Sequence, residues 1–252
     1  MEASADFPFI SANIVDPSGN PVFKTSAVLK RSGFSFGVTG AVGSLPEEVT
    51  AVSLTDVVTS VNEVLADLEH KTDFQIVLFN GAFEEAKAFR PKFVGADYMF
   101  VSGVTDAPIG KMKNPDQGPR MYRLGKQGKS LALVTVNVEM PGTALADITE
   151  LKLREEFMLR QIERMKRTDP SKSLEELYGN DPELMERAKK IQEALGEMQR
   201  ELASAVNTSR FDFPPMDKFL DDEPRMLGMV TETLTACDQL AKASESRKSS
   251  GS

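Results

Sequence analysis

The chain has 252 residues, 40% of them hydrophobic, which is enough for a buried core and argues against a disordered chain. Its formal net charge of −8 excludes a nucleic-acid backbone as principal partner, because phosphate recognition needs a concentrated positive face. The single cysteine, Cys237, excludes an internal disulfide framework and a cysteine-based metal cluster.

In chain order, residues 7–14 and 22–31 read as two strands joined by a turn around Asp16, Gly19 and Pro21, and residues 34–42 read as a third. Gly37, Gly40 and Gly43 have the close spacing of a phosphate loop. That motif requires its last glycine to open a helix, whereas Pro46 intervenes and helical spacing begins only near Ser53. The favoured reading is a buried strand whose small residues admit a close neighbour. From Ser53, a plausible N-cap, to Lys71, the positions Leu54, Val57, Val58, Val61, Val64, Leu65 and Leu68 predict an amphipathic helix lying on a sheet. His70, the only histidine, sits at its end and reads as a surface or capping residue.

Residues 73–106 organise the rest. Two short apolar runs, 73–79 and 97–101, each end in small polar residues, as buried parallel strands do when they deliver loops to the carboxyl edge of a sheet. Open α/β sheets bind ligands at that edge. A covering helix is predicted over 83–94 despite Pro91, and strand, helix, strand, helix, strand is the order of parallel crossover units. Residues 107–118 read as a loop, and 120–125 with 130–140 as a hairpin closing on Gly125 and Gly128.

The segment containing Asp6, Phe9, Asn13 and Asp16, then Pro21, Phe23, Gly33, Phe36 and Gly40, resembles the middle of a calcineurin-like metallophosphoesterase of the 5′-nucleotidase group. The later pieces follow in matching order, so the resemblance covers roughly residues 5–140. It implies a two-metal phosphoesterase site at the carboxyl edge of the sheet. The family places a loop histidine where this chain has Asn80 and Gly81, and a Gly-His-x-His motif where this chain has Gly103, Val104, Thr105 and Asp106. The family's upstream ligands would precede residue 5. Two-metal hydrolysis needs several imidazole and carboxylate ligands with supporting partners. Asn80 and Asp106 each offer one oxygen and Val104 offers nothing, so the site is expected to be vestigial, with neither a catalytic nor a confident metal-binding residue.

Beyond Pro141 the composition turns to charge-rich helix. Residues 148–168 carry Leu151, Met158, Ile162 and Met165 at helical spacing. A second helix, opened by Asp181 and Pro182, keeps a heptad-like pattern through Leu184, Ala188, Ile191, Leu195, Met198, Leu202 and Ala205, and the two predict an antiparallel hairpin. Phe211 to Pro215 reads as a stiff linker, 223–242 as a last helix, and 242–252 as a disordered tail. Cys237 lies in that helix without the motif for haem attachment.

The expected fold is α/β, a partial metallophosphoesterase-like β-sandwich with covering helices, followed by a helical hairpin and a terminal helix. The domain divisions are 1–142, 143–210, 211–243 and a tail from 244 to 252. The expected function is a non-catalytic interaction or scaffold module, with no cofactor and with a protein partner or a second copy engaged through helices and an open sheet edge. Under the competing reading, a metal-dependent phosphohydrolase, a divalent pair such as Mn or Zn is held with help from upstream sequence or another subunit. No apolar run approaches the roughly 20 residues that span a bilayer. The first residues have no signal-peptide pattern, so the compartment stays unassigned, although the resemblance suggests periplasmic or secreted relatives.

Overall fold

In a computed structural model of the chain, residues 7–103, 117–123, 131–216 and 219–249 are described, with side chains of 243–249 left aside. The chain divides into two units, Met1–Pro214 and Pro215–Ser252. Among the described residues, the first holds a five-stranded sheet, a three-stranded sheet, a two-stranded pair and five α-helices.

The five-stranded sheet is built from β2 (Ser26–Arg31), β3 (Phe34–Val42), β5 (Phe74–Asn80), β6 (Tyr98–Ser102) and β7 (Arg120–Arg123), in that spatial order. β2 and β3 form an antiparallel hairpin, and β3, β5, β6 and β7 run parallel. The parallel strands are linked by α1 (Val57–Glu69) and α2 (Phe83–Phe89), the latter continued by a 3₁₀ turn over Arg90–Lys92. Alternate residues of each strand, Ala41, Val77, Phe79, Met99, Val101 and Met121, share one buried cluster with Val57, Val61 and Leu65 of α1. The three-four spacing of the helix meets the two-residue period of the strands along this layer.

Gly37 explains how α1 comes so close. A Cβ there would stand 2.9 Å from the Thr72 hydroxyl and 3.1 Å from the Leu68 methyls. The glycine-rich run is thus a strand with a helix pressed on it, and β3 matches the predicted strand in full.

Several expectations are corrected. Residues 7–14 do not form a strand: only Ile14–Val15 (β1) is extended, paired antiparallel with Ser53–Leu54 (β4), and Ile10 makes an isolated bridge to Lys24. The segment divides its backbone bonds between two neighbours, Ser11 N to the Lys24 carbonyl and Ala12 N to the Gly40 carbonyl, so no ladder propagates. α1 starts later than predicted because Asp56, not Ser53, caps it. The Asp56 carboxylate accepts from Thr59 N at 2.8 Å and is held below the usual carboxylate range by the Thr59 backbone bond.

The predicted hairpin over 120–140 is not formed. β7 closes the parallel sheet, whereas β8 (Leu133–Asn137) pairs antiparallel with β10 (Asn207–Asp212) in a different sheet, and Gly125 and Gly128 lie outside the described residues. β10 occupies the stretch expected to begin a linker, since Phe211 stacks on Tyr122 at 3.9 Å and an interplanar angle of 8°. β9 (Leu145–Asp147) runs parallel to β10, and parallel neighbours require a long crossover. The helical region supplies it: α3 (Thr149–Met165), α4 (Leu174–Tyr178) and α5 (Pro182–Ser204) all lie between the two strands.

α3 and α5 are antiparallel, because Glu155 meets Gln199 at 3.5 Å while Met158 and Gln161 share a groove with Arg187 and Ile191. Asp181 caps α5 at Leu184 N, as the Asp-Pro pair predicts. α4, where the sequence suggests only a connection, is one turn and a half, opened by a capping box between Ser173 and Glu176 and tied back by the Tyr178 hydroxyl to the Met165 carbonyl at 2.6 Å.

In the second unit, α6 (Pro224–Ser249) extends past the predicted end at Lys242. Alanine, glutamate, lysine and arginine in that extension favour helix over coil.

Candidate functional site

The carboxyl edge of the parallel sheet is formed by the ends of β3, β5 and β6, where Gly43, Asn80 and Gly81, and Ser102 and Gly103 come together. Gly43 N donates to the Asn80 carbonyl at 2.7 Å, and Gly81 N to the Ser102 carbonyl at 3.2 Å. Gly103 has a φ of +86° and packs 3.2 Å, at its missing Cβ, from Gly81 N. A side chain there would be strained and would collide with the neighbouring loop backbone.

Asn80 is exposed, and its amide donates to the Ser102 hydroxyl at 2.9 Å. Ser102 in turn donates to the Phe79 carbonyl at 3.5 Å. Asn80 therefore ties β5 to β6 through a side-chain bond. Glu85 stands beside this edge, and its Oε2 accepts from Ala82 N at 3.3 Å and caps α2. Among the described residues, no three histidine, cysteine, aspartate or glutamate side chains are grouped so as to hold a metal ion. Of the three vestigial positions, Asn80 lies at this edge, and Val104 and Asp106 lie outside the described residues.

Two structural features around the site escape sequence reasoning. The first is Asn13, fully buried, whose amide donates to the Val42 carbonyl at 2.9 Å and whose oxygen accepts from Val42 N at 3.0 Å. It acts as a one-residue strand on the last residue of β3, holding the entry to the edge loop. The second is a polar seam between the sheets. The Tyr98 hydroxyl meets that of Ser209 at 2.9 Å, and Arg120 donates to the Leu145 carbonyl at 2.7 Å while its guanidinium stands 3.8 Å from Asp147. Burial pushes the Tyr98 and Tyr122 phenols upward.

Below this seam lies a cavity of about 360 Å³ bordered by Phe74, Asp73, Asp97, Thr143, Leu145 and Asn207. Asp97 accepts from Gln75 N at 2.8 Å, and burial raises its carboxyl above the ordinary value against the opposing pull of that bond and of Arg120. Asp73 moves the other way, because the Ser35 hydroxyl and amide both donate to it. Asn207 spends all its capacity on the neighbouring turn, accepting from Glu139 N and Met140 N and donating to the Met140 and Thr143 carbonyls. The polar groups around the cavity thus serve mostly to fix its walls.

The outer face of the five-stranded sheet is unevenly covered. Over β6 and β7 it is buried where Tyr98 meets Ser209 and Tyr122 stacks on Phe211. In register with these, Ile76 beside Tyr98 and Phe100 beside Tyr122 are half-buried, while Leu78, 42% exposed, Asn80 and Ser102 are exposed. His70 is the C-cap residue of α1, as its position at the helix end predicts.

No protein-family model matches the sequence, and no curated protein matches it. Solved structures do. A 5′-nucleotidase precursor from Thermus thermophilus is 18% identical, with 57% of this chain and 33% of that chain covered, at a TM-score of 0.45. The calcineurin-like phosphoesterase YfkN from Bacillus subtilis is 19% identical, with 56% of this chain and 53% of that chain covered, at a TM-score of 0.44. Structural matches to calcineurin-like phosphoesterases and 5′-nucleotidases thus extend over about half of the chain, and the chain spans between a third and about half of these two proteins.

Proposed function

We propose that the chain is a non-catalytic interaction module built on a partial metallophosphoesterase-like sandwich, with a protein partner covering the outer face of its five-stranded sheet. One observation carries the reading. At the carboxyl edge, where the resemblance assigns a metal-binding histidine, Asn80 is a strand-to-strand tie whose amide is committed to Ser102. Next to it Leu78 is exposed, with half-buried Ile76 and Phe100 beside it, a small apolar strip that a β-layer of a partner would bury.

The two halves of the proposal rest on different chemistry. An amide that donates to a hydroxyl stabilises the loop ends without needing a cation, and a short apolar strip beside it favours a surface over a substrate pocket. The competing reading, a hydrolase completed by further ligands, requires the Asn80 amide oxygen, which the bond to Ser102 leaves unused, to reach a metal.

The experiment is a phosphodiester and nucleotide hydrolysis assay on the purified chain, supplied with Mn²⁺ or Zn²⁺. The expected result is a rate equal to that of metal in buffer, unchanged by Asn80→Ala. Metal-dependent turnover that disappears in Asn80→Ala would overturn the proposal.

A further inference from the structure

The hairpin of α3 and α5 carries a groove whose walls lie wholly within residues 131–216, which are described without a break. At one end is a cleft of about 450 Å³ walled by Phe157, Arg164, Met165, Tyr178, Leu184 and Arg187. Through Gln161 and Arg187 it shares walls with a second cleft of about 430 Å³, which continues along α5 past Ile191 to Ala194. From Leu184 to Ala194 the helical rise makes the groove about 15 Å long, room for about three turns of a further helix. Its walls are apolar and partly open to water, since Phe157 is 53% and Leu184 37% exposed. A ring and a leucine left to solvent on two antiparallel helices are what the apolar stripe of a third helix would cover.

Charge selects among such helices. The first cleft has two guanidiniums in its walls, Arg164 and Arg187, and among the described residues no carboxylate. Several other cations of the hairpin are matched on their own helix, Arg154 by Glu150, Lys152 by Glu155 and Lys190 by Glu186. Neither the Arg164 nor the Arg187 guanidinium makes a hydrogen bond or ion pair among the described residues. The second cleft holds Glu183, Glu186 and Lys190, so the acid-free part of the groove is the Phe157 end.

We infer that this groove docks an amphipathic helix of a partner protein, its apolar stripe seated on Phe157 and Leu184 and its Asp or Glu side chains paired with Arg164 and Arg187. Carboxylates match the guanidinium fork and make charge-assisted bonds with it. A second copy docked by the same groove about a two-fold axis would set these arginines against each other, an unfavourable juxtaposition. The groove is separate from the sheet face proposed above and takes a helix rather than a β-layer, so the inference does not rest on that reading.

The test is fluorescence anisotropy of two labelled synthetic helical peptides titrated with the full chain. The peptides share length and leucine stripe and differ only in Glu or Lys flanking that stripe. The Glu peptide is expected to bind about tenfold more tightly than the Lys peptide, the combined effect of two partly exposed ion pairs against two repulsive ones. Arg164→Glu combined with Arg187→Glu is expected to invert that order, and Phe157→Ala to weaken both peptides, which electrostatics alone would not do. All three positions are exposed, so circular dichroism and melting temperature are expected to stay close to wild type. The comparison of the two peptides on wild type needs no variant. Equal binding of the peptides, binding of neither, an order that the double substitution leaves unchanged, or binding insensitive to Phe157→Ala would overturn the inference. So would a wild-type dimer in sedimentation velocity that the double substitution dissolves, because that result gives the groove to a second copy.

Discussion

The two faces of β5 make the most instructive contrast in the molecule. Val77 and Phe79 point to the helix layer and are buried among Val61, Leu65 and Met99. Ile76, Leu78 and Asn80 alternate with them on the same strand and face outward, where burial fades toward the carboxyl edge. The apolar residues on the two faces are of similar chemistry, so what differs is the covering layer. Hydrophobicity along a strand specifies that both faces are to be buried, and the fold within this chain covers one of them fully.

The largest expected effect breaks this contrast at its strong end. Phe79→Ala removes a ring packed edge-on against Phe89 and is expected to cost about 3–5 kcal/mol in urea unfolding, while Leu78→Ala one residue away costs about 1 kcal/mol or less. Equal losses at the two positions would contradict the asymmetry. Next comes Asn13→Ala, which leaves the Val42 amide and carbonyl without their partner and is expected to cost about 2–3 kcal/mol, with faster hydrogen exchange at Val42.

Tyr98→Phe tests the covered part of the outer face, over β6 and β7. It deletes the buried bond to Ser209 and is expected to destabilise by about 1 kcal/mol in the same assay, with no loss of secondary structure. A neutral result would mean that the seam contributes packing alone.

The subtlest prediction concerns pH. Burial holds the Asp97 carboxyl above its unfolded value near 3.8, so the native state binds more protons than the unfolded chain as pH rises past that value. Its contribution is therefore absent at low pH, where both states are protonated, and becomes unfavourable through the window above 3.8. Asp97→Asn keeps an acceptor for Gln75 N, and its melting temperature relative to wild type is expected to rise as pH increases through that window. A difference that shrinks with rising pH would contradict the assignment.

Much of the fold was legible where local chemistry decides it. The glycine-bearing strand at Phe34–Val42, the Asp181 cap of α5 and the antiparallel hairpin follow from periodicity and capping residues. What escaped depends on distant partners. β8 reads as the second arm of a hairpin because Leu133 to Asn137 follow β7 closely, yet the residue opposite Thr135 is Arg210, which lies beyond the whole helical region. No pattern near residue 135 encodes that choice. Ser53 reads as the cap because Leu54 fits the helical spacing, although Leu54 belongs to β4 and Asp56 is the cap. At the candidate site, Asn80 was legible as a departure from a motif, whereas its bond to Ser102 required the register of β5 against β6.

The most direct test of the central claim is the amount of metal that the chain keeps. Protein purified without an affinity tag from cells grown with manganese and zinc would be dialysed and its metal content measured by elemental analysis. An interaction module in which Asn80 is a structural tie retains far less than one equivalent per chain. Two equivalents retained through dialysis would contradict the account and make the carboxyl edge a metal centre.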